Sequence, residues 1–420
     1  MQTDNRKKNN NITYTLKHKL CLGCGVCESA CPVSAINIDE EKGEYKPRLD
    51  NTVCLGDKCG KCLKVCPGIG VKFDSFIEDI TENNAKIDKY IGRYNTIYTG
   101  YSCDNDIRYH SASGGMVTSF LIFLLEKRII DGAIVTKYSD LDHLTPEVFI
   151  ARNKEELLSS RGSKYCPVSM GKVKSLISNV EGKYVIVGLP CHIQGLRKLI
   201  KIDKKIRDKI LGLFSIYCSS NRNFYARDYL LKTNNIQPEN VSYFAFRDNG
   251  CLGDLTVKHR EGTELRIPFE KYYPQLRSYF KPRRCLSCID HYGELADVSF
   301  GDIHIEPYSN DHIGINSWIV RNSFWNDLFC NAASEGYIKM QPLMPEILNK
   351  SQATMLFPKK RRAKAVMNMD KLLFREIAVY DKVLKNPSVV DYIKEIICQL
   401  QRFIGRRPFL WFFIKVFNKN

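Results

Sequence analysis

Eight cysteines fall within 46 residues of this 420-residue chain, and their spacing constrains the N-terminal region more than any other feature. The first four read Cys21-Leu-Gly-Cys24-Gly-Val-Cys27-Glu-Ser-Ala-Cys31-Pro32, a C-x2-C-x2-C-x3-C-P run. Cys54, Cys59, Cys62 and Cys66, followed by Pro67, repeat it as C-x4-C-x2-C-x3-C-P. Three thiolates on one short loop wrap three corners of an iron–sulfur cubane, for which thiolate is the soft ligand. The fourth cysteine of such a run points away and ligates the other cluster. The spacing assigns Cys21, Cys24, Cys27 and Cys66 to one [4Fe–4S] cluster, and Cys54, Cys59, Cys62 and Cys31 to a second. Structural zinc takes its ligands in pairs, not in two interleaved sets of this kind.

Glycines at 23, 25 and 60 suit loops that turn tightly and bring backbone N–H groups near sulfide. Each proline after a fourth cysteine fixes φ there and removes a donor. Ala35–Ile38 and Glu44–Pro47 fit a short hairpin around Glu41-Lys-Gly43. The region resembles a bacterial two-cluster ferredoxin domain, from which the x4 gap of the second run departs.

Seventeen cysteines in one chain suit a reducing compartment only if metal or packing accounts for them. Met1 to Leu20 is polar and lacks the apolar stretch of a secretory signal, and no 18-residue apolar run occurs anywhere. The expectation is a cytoplasmic protein. At 44% hydrophobic and 26% charged, the chain can bury a core in two or three domains. Its net charge of +17 is concentrated at one end: residues 359–420 carry 15 Lys/Arg against 5 Asp/Glu. That is a basic tail rather than a nucleic-acid footprint over the whole protein.

Beyond residue 90 the pattern becomes one of alternating apolar strands and helices. Ser113-Gly114-Gly115 opens a helical run, Met116 to Ile129, and Ala133–Thr136 reads as a strand. Tyr184–Gly188 is a buried strand running into Leu189-Pro190-Cys191 and a helix from about Ile193. Leu211–Tyr217 is another, ending at Cys218, and further strands are expected at Val241–Phe246, Asp254–Lys258, Asp297–Phe300 and Trp318–Arg321. The fold class is α+β or α/β: a small two-cluster ferredoxin domain, a larger mixed α/β flavin-binding domain and a helical C-terminal tail. The expected division is a polar N-terminal tail 1–14, the ferredoxin domain 15–75, a linker 76–94, the large domain 95–360 and a basic helical tail 361–420. Motif residues follow strand ends, where crevices form in open sheets.

Ser113-Gly-Gly, Gly162-Ser-Lys-Tyr165, Gly188-Leu-Pro-Cys191 and Cys285-Leu-Ser-Cys288 with Ala296-Asp297 and Gly301-Asp302 occur in this order. Together they resemble the family of coenzyme F-420 hydrogenase/dehydrogenase beta subunits, over about residues 95–360. The resemblance implies a bound FAD, a third [4Fe–4S] cluster and electron transfer to or from an external partner. The candidates for FAD are Ser113, Gly114, Gly115, Gly162, Ser163, Lys164, Tyr165 and Asp302. Glycines at a helix start admit a phosphate to exposed donors, although Ser113 there also reads as a simple N-cap. Cys191, Cys218, Cys285 and Cys288 are the candidates for the third cluster, with Arg283 and Arg284 supplying positive charge beside it. His192 reads as a helix-start histidine or a proton donor. Cys103, Cys251, Cys330 and Cys398 fit no spacing rule.

Phe403–Phe417 is aromatic and basic, and the apolar stretch after Pro408 is too short to span a bilayer. It reads as a helix lying at an anionic membrane surface, or as one packed on the body or a partner. The functional expectation is an iron–sulfur flavoprotein oxidoreductase whose partner is ferredoxin or another redox protein, with deazaflavin use and the substrate left open. By resemblance, a place in surface-polysaccharide metabolism is also implied. The alternatives are a non-catalytic electron-transfer subunit and a flavin-less scaffold.

Overall fold

The computed structural model describes residues 10–417. Near its start, β1 (Ile36–Glu41) and β2 (Glu44–Leu49) form an antiparallel hairpin. Lys42 and Gly43 at its tip both have positive φ, 52° and 73°, the twist that a tight hairpin requires. On either side lie two short helices, α1 (Val26–Ser29) and α2 (Lys61–Lys64), each entered through a left-handed glycine, Gly25 or Gly60. The two cysteine runs therefore have matching local folds.

The strands of four or more residues that follow are β3 (Thr96–Ser102), β4 (Gly132–Tyr138), β5 (Pro146–Ala151), β6 (Tyr184–Gly188), β7 (Ile210–Ile216), β8 (Val241–Asp248), β9 (Asp254–His259), β10 (Glu264–Ile267), β11 (Val298–Asp302), β12 (Asn316–Val320) and β13 (Ile338–Pro342). Eight of them build one mixed sheet in the order β13-β3-β12-β11-β7-β6-β4-β5. Its centre, β11-β7-β6-β4, is parallel, and both flanks are antiparallel. Apolar runs such as Tyr184-Val-Ile-Val suit central strands covered on both faces. Strands β8, β9 and β10 form a separate antiparallel meander.

One face of the sheet is covered by α3 (Met116–Glu126) and the helix Ser323–Ser334, which pack Phe120, Phe329 and Trp325 on Phe214 and Trp318. The other face carries α4 (Pro190–Ile202), whose Ile193 and Leu196 share one core with Val26, Val65 and Phe73 of the N-terminal module. The cysteine-rich module is thus part of the main core rather than tethered beside it. Residues 76–94, expected as a linker, are themselves packed: Ile80, Ile91 and Tyr94 are buried.

Helix α5 (Ala353–Leu372) runs through the expected boundary at 360. Val379 and Tyr380 then pair in parallel with Gly70 and Val71, and the Asp381 carboxylate accepts from the N–H groups of Phe73 and Asp74 at 2.9 Å each. The C-terminal segment straps the N-terminal module to the body. Helix α6 (Val389–Gly405) follows, then a turn at Pro408–Leu410 and the short α7 (Phe412–Phe417). The aromatic tail is therefore not one continuous helix. Trp411 and Ile414 turn inward against Tyr229 and Phe280, because the break at Gly405–Leu410 redirects the chain over the meander. No helix among the described residues is long and apolar enough to cross a membrane.

Candidate iron–sulfur and cofactor site

In the first thiol set, burial pushes Cys27 well above the ordinary thiol value, and Cys24, Cys66 and Cys21 add to it because they lie close by. Cys24 is raised in the same way, by burial and then by Cys66. These are the four thiols that the spacing groups together. In the second set, burial raises Cys62, with Cys59 and Cys31 contributing. One cavity is lined by Cys31, Cys54, Cys59 and Cys62 together, closed by Pro32 and Ile36. Among the described residues no three His, Cys, Asp or Glu side chains are placed to hold a single metal ion. A cubane makes no such demand, since each thiolate takes a different iron at a different corner.

The surroundings of the sulfurs match this donor set. Backbone N–H groups point at Cys21 Sγ from Gly23 (3.4 Å), at Cys31 Sγ from Ala35 (3.2 Å), at Cys54 Sγ from Gly56 (3.4 Å) and at Cys66 Sγ from Gly68 (3.3 Å). Such donors stabilise thiolate and the charge of a reduced cluster. Gly23 has φ +70°, and a Cβ there would stand 2.9 Å from the Tyr45 carbonyl oxygen, so both conformation and space require glycine.

Cys191, Cys218, Cys285 and Cys288 come from three separate elements. Cys191 lies in the first turn of α4, Cys218 follows β7, and the other two lie in and just after the 3-10 turn Arg283–Ser287. The fold brings all four together: burial raises Cys191 well above the ordinary value, followed by charge interactions with Cys24, Cys218, Cys285 and Cys288. Of these neighbours, Cys24 belongs to the first set. The two sets approach each other because α1 packs on α4, with Val26 filling the notch at Gly195. The three sets are therefore linked by charge, Cys62 of the second acting on Cys27 of the first and Cys24 of the first acting on Cys191 of the third. Of the remaining five cysteines, Cys166 and Cys398 are buried, Cys251 is half-buried, and Cys103 and Cys330 are exposed.

Buried cations lie beside these thiol sets. Lys198 donates to the carbonyls of Cys66 (2.9 Å) and Gly70 (2.7 Å), and burial pushes its ammonium down to about 8. Lys359 donates to the carbonyls of Cys218 and Asp290. Arg222 is 2% exposed and bonds to Ser220 Oγ (2.9 Å) and Tyr273 Oη (3.1 Å), with no carboxylate paired to it among the described residues. Its Nε and both side-chain polar atoms of Asn223 are buried without a partner. A buried cation and amide left so are costly unless a bound anion completes them. Sequence reasoning missed Lys198, Arg222 and Lys359. Only Lys198 carried a signal, lying seven residues after Cys191 on the same helix face.

The residues expected to meet FAD divide. Tyr165 is wedged between Phe246 and Tyr273, each 5.2 Å away, and senses both Arg247 and Asp302. Burial alone would raise the Asp302 carboxyl, but Arg247 at 2.7 Å and His304 hold it well below the usual range. Asp302 and Asn316 face each other in register across β11 and β12. Asn316 Oδ1 in turn accepts the Met116 N–H at the start of α3. Ser113–Gly115 and Gly162–Tyr165 thus both reach the carboxyl end of the parallel strands. Two details differ from expectation. The N-cap of α3 is Gly115 at φ +75°, while the Ser113 hydroxyl donates to Ile315 O at 2.7 Å. Lys164 Nζ donates to the carbonyls of Ser160, Arg161 and Gly162 (2.6, 2.7 and 3.2 Å), so its donors finish the helix Lys154–Ser159 rather than waiting for a phosphate. His192 Nδ1 accepts the Leu189 N–H at 3.1 Å, and burial pushes this histidine down to about 4, which leaves it neutral and structural.

A ferredoxin-like module with two four-thiol sets, built into the core of a mixed α/β body, defines an iron–sulfur protein. Comparison with known proteins agrees: residues 20–68 match a 4Fe-4S dicluster domain, residues 97–174 the N-terminal part and residues 181–346 the C-terminal part of the coenzyme F-420 hydrogenase/dehydrogenase beta subunit. The chain belongs to the family of these beta subunits, with the dicluster domain in front. Among its relatives, a coenzyme F-420-dependent sulfite reductase of Methanocaldococcus jannaschii is 28% identical over 67% of this chain, which spans only 42% of that enzyme's length. One component of a reduced coenzyme F-420 dehydrogenase of Methanosarcina mazei is 24% identical over 79% of this chain and 87% of its own. Among solved structures, a chain of the F-420-reducing [NiFe] hydrogenase complex of Methanosarcina barkeri shares the fold, with TM-score 0.53 and 22% identity over 72% of this chain and 99% of that one.

Proposed function

We propose that this chain is an iron–sulfur flavoprotein oxidoreductase that relays electrons between a redox protein and a small-molecule substrate, in the reducing conditions of the cytoplasm. When bound, [4Fe–4S] clusters supply one-electron steps and FAD couples them to two-electron chemistry. In this reading the twelve cysteines hold three clusters. Tyr165, Ser113–Gly115 and the Arg247–Asp302 pair border the flavin, while Lys164 acts through the loop rather than on the phosphate.

What supports the reading above all is the neighbourhood of Cys24 and Cys191, which lets one protein core hold an unbroken series of thiol sets. Lys198, Lys359 and Arg222 balance negative charge inside it, and the apolar layer from α1 to α4 keeps water out. A second reading, a non-catalytic electron-transfer subunit, is favoured by the relatives named as subunits of larger enzymes.

Anaerobic purification followed by iron and flavin analysis tests the proposal. About 12 irons and one FAD per chain support it, and a Cys191→Ser/Cys288→Ser variant then retains about 8. Eight irons without flavin in the parent protein overturn it. Turnover of small electron donors by the isolated chain separates the enzyme from the non-catalytic carrier.

A further inference from the structure

Helix α6 is inside out. Its apolar residues Val389, Ile393, Ile396, Ile397, Leu400 and Phe403 recur at helical spacing on a single face, and that face points to solvent, with exposures from 49% at Ile397 to 74% at Val389. The opposite face, buried against the body, carries Asp391, Glu395 and Arg402.

Polar contacts lock this orientation. Arg361 and Ser388 meet the Asp391 carboxylate, Arg362 Nη2 stands 3.2 Å from Glu395, Arg402 Nε donates to Lys281 O at 2.7 Å, and Arg406 pairs with Glu44 of the β1–β2 hairpin. Rotating the stripe inward would bury it at the expense of every one of these pairs. An exposed apolar stripe of this size on a monomer marks a surface that something covers.

Charge indicates what covers it. Between residues 383 and 416 the only carboxylates are Asp391 and Glu395, and both are turned inward. The unpaired charges left at the surface there are Lys385, Lys394, Arg407 and Lys415, all positive. Arg407 lies over the Phe403 ring at 3.5 Å, a cation at the rim of the apolar face. Phe409, Phe412 and Val416 extend the exposed apolar surface past the helix. A second copy pairing through this stripe would set its like-charged rims against each other.

We infer that α6 docks this protein on an anionic lipid bilayer, with the stripe from Val389 to Phe403 entering the headgroup region and the lysines and arginines around it meeting lipid phosphates. The surface lies upstream of the Phe403–Phe417 stretch that the sequence suggested, since Trp411 and Ile414 face inward.

The test is co-sedimentation of the anaerobically purified full chain with vesicles of 30% phosphatidylglycerol in phosphatidylcholine, against pure phosphatidylcholine. Binding to the anionic vesicles is expected, at least tenfold weaker on the neutral ones and several-fold weaker in 0.5 M salt. The variant Ile393→Gln/Ile396→Gln/Leu400→Gln/Phe403→Gln is expected to lose it at least tenfold while keeping its iron content. Lys394→Glu/Arg407→Glu, which leaves the apolar stripe intact, provides an independent second test and is expected to weaken binding on anionic vesicles alone. No binding by the full chain, or binding by both variants equal to that of the parent, overturns the inference. So does a dimer that the first variant dissociates with no vesicle binding by the parent, because the occupant is then a second copy.

Discussion

Arg284 donates from Nε to the carbonyl oxygen of Gly68 at 3.0 Å, joining the loop of Cys285 and Cys288 to the turn that follows Cys66. Its Nη2 donates to Tyr380 Oη at 2.8 Å, and Tyr380 belongs to the segment paired with Gly70 and Val71. One buried guanidinium therefore connects the N-terminal module, the third thiol set and the C-terminal strap.

Arg284→Met leaves the Gly68 carbonyl and the Tyr380 hydroxyl buried without this donor. A loss of about 2–3 kcal/mol in stability is expected, on the scale of a broken charge-assisted hydrogen bond. Arg284→Lys recovers only part of it, because a single ammonium does not span both acceptors. Anaerobic denaturant unfolding of the three proteins checks the order.

Gly25 lies where the module meets the body. A Cβ there would stand 2.0 Å from Ser169 Oγ and 2.7 Å from the Gly171 nitrogen, at a φ of +77°. Gly25→Ala is expected to cost about 3 kcal/mol through both strain and overpacking. Gly56, also left-handed but with nothing within 4 Å of its Cβ position, provides the control, and Gly56→Ala is expected to cost about 1 kcal/mol. Thermal unfolding with iron release as a second readout distinguishes the two.

Lys359 is buried beside Cys218, Cys285 and Cys288. Replacing it with methionine removes a positive charge that favours the more reduced state of whatever these thiols hold. Redox titration followed by electron paramagnetic resonance is expected to show one centre shifted down by about 60 mV, equivalent to about 1.4 kcal/mol for one electron. The other centres stay where they are.

Glu44 couples the hairpin to α6. Burial by itself would raise its carboxyl, but Lys46 at 2.7 Å and then Arg406 hold it below the ordinary 4.5. A lowered folded value means the charged form is favoured in the folded protein. The stability it contributes is therefore present above pH 4.5 and lost as pH falls through the lowered value. Glu44→Gln is expected to cost about 1 kcal/mol at pH 7, with the difference from the parent constant down to pH 4.5 and shrinking only below it, as the pH falls through the lowered value. Hydrogen exchange of the amides at 400–406 above and below pH 4.5 reads this directly.

The cysteine-rich module was largely legible in the sequence because its determinants are local. Three thiols of each set sit on one short loop, and the glycines that turn those loops are chain neighbours of the ligands. The central strands were legible for a related reason: an apolar run such as Tyr184–Gly188 suits only a strand covered on both faces. Strands β3, β5, β10 and β13 were missed, since Thr96–Ser102, Pro146–Ala151, Glu264–Ile267 and Ile338–Pro342 are mixed in polarity and lie at or next to the sheet edges, where pairing with neighbours rather than an apolar run orders them.

Motif order suggested that Cys191, Cys218, Cys285 and Cys288 act together, but nothing in their spacing could say that Cys24 neighbours Cys191. That depends on α1 packing against α4, a contact between residues far apart in the chain. Lys164 shows the converse, a residue of the expected type in the expected motif whose donors the fold uses elsewhere.

By itself the sequence determined which cysteines share a short loop and where the chain turns, because cysteine spacing and backbone conformation are properties of a few neighbouring residues. Only the tertiary structure decided which thiol sets adjoin and which face of α6 meets water. A helical stripe from Val389 to Phe403 reads as a core face in any sequence. It faces outward because Arg361, Arg362 and Lys281, distant in the chain, hold Asp391, Glu395 and Arg402 on the inner side.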